Sequence, residues 1–211
     1  MLLANSVMLA GQSTLRLGVN IDPVANWLAP KTSQMTRDGM RLGIQGGMIV
    51  EYYFRPHYAL STGVNLSVLG GNLIYEDSVE LLTGQKERVT IGPGTSVAYN
   101  ITYITIPVSL KLKTNEIGYF TYFAQVGFTP MINSGSWANS TDKKITKDFI
   151  GKEINFFGFD YFLGAGIEYG IGGQTALTSG LFFHNGLSDV MSKDSYKAVL
   201  NHLSLRLGVI F

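Results

Sequence analysis

Two histidines and a serine near the C-terminus are the residues whose types suggest chemistry. His184, His202 and Ser204 would form the site of a lipid hydrolase or acyltransferase if folding brought them within hydrogen-bond reach, because a histidine acts as general base for a serine nucleophile. Asp189 could orient one of the rings. Two histidines without a third ligand make a weak metal site, so the sequence predicts neither a metal nor another cofactor.

A glycine-rich stretch suggests a second kind of chemistry. Gly164, Gly166 and Gly170 stand in "FDYFLGAGIEYGIGGQ", close to the pattern of a dinucleotide-binding turn. That turn needs a strand that ends at the glycines and a helix that begins there. Here apolar residues alternate without a break from Tyr161 to Tyr169. The glycines are therefore predicted to lie in mid-strand and to line a crowded interior.

Composition narrows the class of protein. Charged residues make up 15% of the 211 residues, well below the usual quarter of a soluble domain. The mean hydropathy of +0.16 fits a deep core or a surface that does not face water. The net charge of +1 gives no reason to expect nucleic acid as a partner. The chain has no cysteine, which excludes disulfides and thiol chemistry, and no apolar run long enough for a transmembrane helix.

The elements that must position these residues are strands. Apolar residues alternate with small or polar ones in eight runs, which cover residues 15–22, 41–52, 58–68, 97–112, 117–132, 157–170, 175–184 and 202–211. Short turns at residues 55–57, 113–116 and 170–174 alternate with long polar segments at residues 29–39, 71–94, 134–152 and 188–197. The short turns and both termini therefore lie at one end of the molecule, and the long segments lie at the other.

This pattern predicts an all-β fold, an eight-stranded antiparallel up-and-down transmembrane β-barrel. Lipid offers no hydrogen bonds to open sheet edges, so the sheet must close. Aromatic residues near the strand ends are typical of interfacial girdles: Tyr52, Tyr53, Phe54, Tyr58, Phe156, Phe157 and Phe211. The alternative is a soluble lipocalin-like carrier with its apolar phase inside. Its outer phase would be dense in Lys and Glu, whereas here that phase is rich in Gly, Ser and Ala.

The charged residues of the polar phase are predicted to meet inside the barrel. They are Arg16, Arg41, Glu51, Asp160, Glu168 and Arg206. An eight-stranded lumen is just wide enough for side chains, so buried charges there must pair. We expect an interior charge network that fills the lumen, with Glu168 paired to Arg41 or Arg206. A narrow ion path is the functional alternative; a general diffusion pore would need about 16 strands.

Several stretches carry a family resemblance. They are "YITIPVSLKLK" (Tyr103–Lys113), "YFTYFAQVGFTPMINSG", the segment Phe159–Val190 and the final "LSLRLGVIF". On these the chain resembles the PorT-like outer-membrane β-barrel family of the Bacteroidota. The resemblance implies insertion in outer-membrane lipid and a part in type IX secretion or gliding motility, within a larger outer-membrane secretion complex. It transfers no functional residues.

The two ends of the chain give further expectations. Residues 1–13 are an N-terminal extension or the remnant of a signal peptide without its basic start, and residues 14–211 form the barrel domain. The in-phase residues Leu205, Leu207, Val209 and Phe211 are predicted to be the signal that barrel-assembly machinery recognises.

The predicted function is non-enzymatic: an outer-membrane structural or interaction protein that acts through the segments Gly71–Gly94 and Ser134–Lys152.

Overall fold

The computed structural model describes residues 14–82, 88–142, 145–193 and 195–211; the predicted N-terminal extension lies outside them. In the described residues the chain forms thirteen strands: β1 (Thr14–Pro30), β2 (Met35–Arg37), β3 (Arg41–Arg55), β4 (Tyr58–Tyr75), β5 (Val79–Leu82), β6 (Arg88–Ile91), β7 (Ser96–Thr105), β8 (Val108–Lys113), β9 (Phe120–Ser140), β10 (Thr146–Phe149), β11 (Phe157–Gly172), β12 (Thr175–Asp189) and β13 (Ala198–Ile210). No helix among these residues is long and apolar enough to cross a bilayer.

Within the described ranges, eight antiparallel barrel strands close into a ring. The order is β1, β3, β4, β7 with β8, β9, β11, β12 and β13, and β13 pairs back onto β1. β7 and β8 are two halves of one barrel strand, interrupted at Ile106 and Pro107. The interruption falls there because proline has no N–H to donate to the ladder. The predicted fold class is confirmed.

The apolar phase faces outward all round the ring. Leu17, Val64, Val126, Leu181 and Leu205 are representative large side chains of this exposed belt. An apolar surface of this kind is stable in contact with lipid but not in contact with water. It excludes the soluble lipocalin-like alternative, which requires the same residues inside.

The two ends of the barrel differ in construction. Pro56 and His57 form a tight turn, as do Gly173 and Gln174, and residues 114–119 make the third connection at that end. Residue Phe211 bonds to Leu17 at the same end. At the other end β4 and β9 reach 18 and 21 residues, about twice the 9–11 that a spanning strand needs.

The segments predicted to be long loops consist in large part of β-strand. β4 continues to Tyr75 and β9 to Ser140, β5 and β6 form a separate hairpin, and β10 pairs with β9. Apolar residues of β4, β5 and β6 are buried together, which supplies the burial that holds these strands beyond the membrane belt. We call this part of the molecule, residues 69–82, 88–103, 133–142, 145–156, 188–193 and 195–200, the cap. Leu73, Tyr99 and Ile101 are fully buried in its apolar core.

The belt gives a test of how the barrel sits in lipid. Leu181→Arg, seven residues into the membrane from the tight turn at Gln174, should lower the free energy of unfolding by about 2–4 kcal/mol. Leu177→Arg is on the same face of the same strand but near the turn, and should cost about 0–1 kcal/mol. Urea unfolding in lipid vesicles measures both. Equal costs at the two positions would contradict the predicted depth of β12.

Candidate functional site

The barrel interior is divided into three layers. Nearest the short turns is an ionic layer centred on Lys111, which contacts the carboxylates of Glu51 and Glu168. Next comes a polar chamber around His184 and His202. Above it lies the apolar core of the cap. The three layers succeed one another along the described lumen from the short turns to the cap.

The ionic layer is a set of interlocked salt bridges. The Nζ of Lys111 makes short contacts with Glu51 and Glu168, and all three side chains are almost fully buried. Glu168 also accepts from Lys113 at 2.6 Å and from Arg16 at 3.2 Å. Three cations thus face two carboxylates, and each carboxylate has several donors. Such a set offsets much of the cost of removing charges from water.

The barrel strands position these charges because alternate residues of each strand point into the lumen. Leu110 and Leu112 face lipid, so Lys111 and Lys113 turn into the lumen. The sequence pattern contained this signal, but the predicted network omitted both lysines. Tyr53 was predicted to belong to a girdle; it is instead buried and donates to Glu51 at 2.7 Å.

A phenylalanine cluster fills the lumen beside the charges. Phe123, Phe162 and Phe182 pack together, and the Nζ of Lys111 lies 4.5 Å from the ring centre of Phe123. A Cβ on Gly166 would meet the Phe123 ring at 2.6 Å. The glycine is therefore required for room, as the mid-strand reading predicted, and not for binding a phosphate.

The other predicted interior charges lie apart from this layer. Arg206 faces Asp22, with 3.5 Å between Nε and Oδ2, and Gln45 donates to the same carboxylate at 2.8 Å. Arg41 donates to the amide oxygens of Asn72 and Asn100 in the cap, at 3.3 and 2.9 Å. The expectation that Glu168 pairs with Arg41 or Arg206 was wrong: its partners are Arg16 and the two lysines, which reach it across the lumen from β1 and β8.

The polar chamber is built on β11, β12 and β13. His184 stands directly opposite His202 in the register, and the two rings stack with centroids 4.0 Å apart. The carboxylate of Asp160 lies 3.2 Å from Nδ1 of His184. Asp189, predicted to orient a histidine, pairs with Lys31 at 2.9 Å instead. Asp160 takes the role that the sequence assigned to Asp189.

These residues do not form the rim site that their types suggested. His184, His202 and Ser204 are only 4%, 2% and 0% exposed, since the apolar core of the cap closes the lumen above them. The hydroxyl of Ser204 has no hydrogen-bond partner among the described residues, so no histidine activates it. A serine-nucleophile arrangement is therefore absent from this part of the described chain.

The chamber contains a small cavity. Its volume of about 10 Å³ is roughly that required by a single water molecule. Asn65, Thr129, Asp160, His184 and His202 are among the residues that line it. The sequence predicted no metal because two histidines lacked a third ligand; folding brings Asp160 to them, and the three residues could together hold an ion.

Hydrogen bonds tie the parts of the cap to one another. Glu153 accepts from the backbone N–H of Leu82 at 3.0 Å and from Lys193 at 3.0 Å. Lys193 also donates to the carbonyl of Glu80 at 2.7 Å. The hairpin of β5 and β6 is thereby joined to the connections that contain Glu153 and Lys193. The described parts of the cap thus form one bonded unit and not a set of independent loops.

Buried tyrosines strengthen the cap core. The hydroxyls of Tyr75 and Tyr99 lie 2.6 Å apart, and the Tyr196 ring packs edge-on against Tyr75 with centroids 5.5 Å apart. Burial raises the pKa of Tyr75 to about 12, so its hydroxyl stays neutral at physiological pH. This end of the lumen is therefore closed by uncharged side chains.

Two neighbouring aromatic side chains of β9 and β10 stand exposed on the outside of the cap. Trp137 on β9 and Phe149 on β10 are opposite each other in the register, and their rings meet edge-on with centroids 6.2 Å apart. They are 40% and 49% exposed. We call this pair the aromatic patch. Both residues lie in the segment Ser134–Lys152 that the sequence analysis identified as a working surface.

The predicted assembly signal lies on the outer face of the last strand and just beyond it. Leu205, Leu207 and Phe211 are exposed and Val209 is half-buried. These positions agree with a terminal strand that faces lipid. Recognition by barrel-assembly machinery stays a prediction.

The ionic layer is expected to carry a large share of stability. Lys111→Met should lower the free energy of unfolding by about 3–5 kcal/mol, because it leaves buried carboxylates without their common partner. Arg88→Met removes an exposed salt bridge with Glu80 and should cost no more than about 1 kcal/mol. Urea unfolding in vesicles, followed by tryptophan fluorescence, measures both changes.

A second substitution separates charge from packing in this test. Adding Glu51→Gln to Lys111→Met should restore part of the lost stability, since one unpaired charge is removed. A double variant less stable than Lys111→Met would show that the lysine acts through packing alone.

Comparison with known proteins identifies the class of barrel. The model of the outer membrane protein β-barrel domain family matches residues 10–192. No curated protein matches the sequence. Among solved structures, Neisserial surface protein A is 9% identical with a TM-score of 0.53, over 94% of this chain and 97% of that one.

Two further structures are similar at lower scores. OprG from Pseudomonas aeruginosa is 11% identical with a TM-score of 0.41, over 92% of this chain and 94% of that one. The attachment invasion locus protein Ail of Yersinia pestis is 14% identical with a TM-score of 0.39, over 93% and 98%. At such identities the likeness to Neisserial surface protein A supports the fold alone. The family match spans most of the chain, which therefore belongs to the outer membrane protein β-barrel domain family and resides in the outer membrane.

Proposed function

We propose that this protein is a structural or interaction protein that binds a protein partner through its cap. The observation that carries the proposal is the contrast between a filled interior and a rigid, ordered exterior. In an outer-membrane barrel the short turns face the periplasm and the longer connections face outward, which puts the cap outside the cell. Binding residues are commonly displayed on connections that a rigid scaffold holds in place.

The filled interior argues against transport. Salt bridges around Lys111, three packed phenylalanines and the apolar cap core succeed one another along the lumen. An eight-stranded barrel has no spare width around such side chains. A narrow ion path would need a continuous polar route, and the apolar core interrupts it.

The aromatic patch supplies an anchor for a partner. Aromatic side chains at the centre of an interface contribute more binding energy than most other residues. The ring of Trp137 lies over Gly135, where a Cβ would approach it to 2.5 Å, and meets the ring of Phe149 edge-on. A ring that keeps these contacts when a partner binds loses little entropy.

The enzymatic alternative is less well supported. His184, His202 and Ser204 lie beneath the cap core, where a lipid headgroup has no path to them in this structure. The resemblance to PorT-like barrels favours a partner within a secretion or gliding apparatus. We therefore propose that the cap docks against another component of a larger outer-membrane complex of the type IX kind.

The closed interior can be tested by electrical recording. Purified protein in planar bilayers should conduct no more than a protein-free bilayer, because the lumen is filled from end to end. A heat-dependent shift in gel mobility would verify that the reconstituted barrel is folded. A stable unitary conductance from folded protein would contradict the proposal that the barrel does not transport ions.

Docking through the aromatic patch can be tested by affinity capture from detergent-solubilised outer membranes. The double variant Trp137→Ala with Phe149→Ala should reduce recovery of the partner about tenfold or more, while the barrel still shows its heat-dependent mobility. Tyr119→Ala is a matched control, because it removes an exposed aromatic ring at the short-turn end. Equal recovery with the patch variant and the control would rule out the patch as the anchor.

The secretion role needs a separate measurement. A deletion strain should export less type IX cargo, and the wild-type chain should restore export where the patch variant does not. Normal export in the deletion strain would overturn the secretion role and leave the docking experiment unaffected.

A further inference from the structure

The geometry points to a binding site for one divalent transition-metal ion, such as Zn²⁺. Asp160, His184 and His202 would be its ligands. The site lies beyond the proposed function and does not depend on it. Each of the three residues offers one ligand atom, and these atoms lie within 4.8 Å of one another. The 3.2 Å between Asp160 Oδ2 and His184 Nδ1 is close to the ~3.4 Å edge of a tetrahedron with ligands about 2.1 Å from zinc.

Unpartnered nitrogens provide a second and independent observation. Nε2 of His184 and both ring nitrogens of His202 are buried without a hydrogen-bond partner among the described residues. Buried polar atoms nearly always have a partner, because leaving one unpaired costs free energy. Two stacked rings with centroids 4.0 Å apart cannot both become cations at low cost. An ion bound to Nδ1 of His184 would also take one of the unpartnered nitrogens of His202. Because an imidazole binds a metal in the plane of its own ring, one of the two rings turns out of the stack when the ion binds.

The cavity has room for the ion. Its ~10 Å³ is lined by all three candidate ligands. Asn65 lines it as well, and its side-chain oxygen also lacks a partner among the described residues. That oxygen, or one water, would complete a four-coordinate site.

Charge and ligand type indicate the class of metal. Asp22 and Asp160 bring two negative charges to this part of the lumen, and Arg206 brings one positive charge, so the chamber attracts a cation while the histidines are neutral. Two imidazoles with a single carboxylate suit zinc, iron, nickel or copper, whereas calcium and magnesium prefer all-oxygen sites. The ligands come from three consecutive barrel strands, so the ion would fasten β11, β12 and β13 to one another.

Metal content of the folded chain is the direct test. The full chain is refolded into detergent micelles with ZnCl₂ or with a chelator, and gel mobility verifies folding. Mass spectrometry of the metal should find one Zn²⁺ per chain, and the zinc-loaded form should unfold several degrees higher than the chelator form. Refolding is needed because the chamber is enclosed, so that the ion enters as the barrel forms.

Variants assign the ion to its ligands. Asp160→Asn, His184→Asn and His202→Asn should each lose the bound zinc and the rise in unfolding temperature. His57→Asn is the matched control, because His57 lies in a turn far from the chamber and should bind zinc like the wild type. Equal zinc in His57→Asn and in all three ligand variants would overturn the site, as would a folded wild type that retains none.

Cobalt gives a readout that requires no variant. Co²⁺ bound by two imidazoles and a carboxylate should produce visible absorption bands, which the addition of Zn²⁺ then removes. A wild-type chain that folds with Co²⁺ but shows no such bands would show that the chamber holds water alone.

Discussion

The narrow lumen of an eight-stranded barrel is the constraint on which the rest of this structure depends. Lipid requires apolar side chains outside and closed hydrogen bonding along the sheet. Polar and charged residues are thus directed inward, into a space just wide enough for side chains. Each inward residue must therefore pack or pair. Lys111 shows the consequence, because two buried carboxylates from different strands share its ammonium group.

The same constraint explains where function can reside. A filled lumen has no substrate path, so the surfaces left for interaction are the lipid belt and the cap. The cap is unusual in having an apolar core of its own, to which β4, β7 and β9 contribute their upper halves. Leu73 and Tyr99 pack there just as core residues do in a soluble protein. This second core lets the strands continue beyond the membrane and holds the exposed surface in one shape.

The sequence predicted the barrel well and the site poorly, for a physical reason. Alternation with period two is kept through the membrane belt of each barrel strand, since lipid and closure leave one stable arrangement. Contacts inside the lumen depend instead on register, where a shift of one residue moves a side chain to the other face. Asp189 lies five residues beyond His184 along β12, about 16 Å away in an extended strand, and it pairs with Lys31. Asp160 reaches His184 from the strand on the other side, a contact that no spacing along the chain reveals.

The cap was underestimated for a related reason. Residues 71–94 and 134–152 are rich in polar and small residues, which is typical of loops, yet β4, β5 and β6 place apolar residues at alternate positions in the first of these segments. Val79 and Leu81 on β5 are buried, although β5 pairs with β6 and not with the barrel. Their side chains pack in the apolar core of the cap, to which other long connections contribute residues distant in sequence, so only the assembled cap buries this hairpin.

The two polar layers of the lumen meet the same constraint in different ways. In the ionic layer the carboxylates of Glu51 and Glu168 have donors from the same protein, so that layer is complete without a ligand. In the chamber, His184 and His202 have buried ring nitrogens that form no hydrogen bond with any described residue. A partly satisfied buried network is less stable than an apolar core, and sequence variation could replace the histidines with packed apolar side chains. Other buried polar atoms, such as Nε of Arg16, also lack a partner, but among the described residues the chamber is where such atoms lie beside a carboxylate that could bind an ion with them.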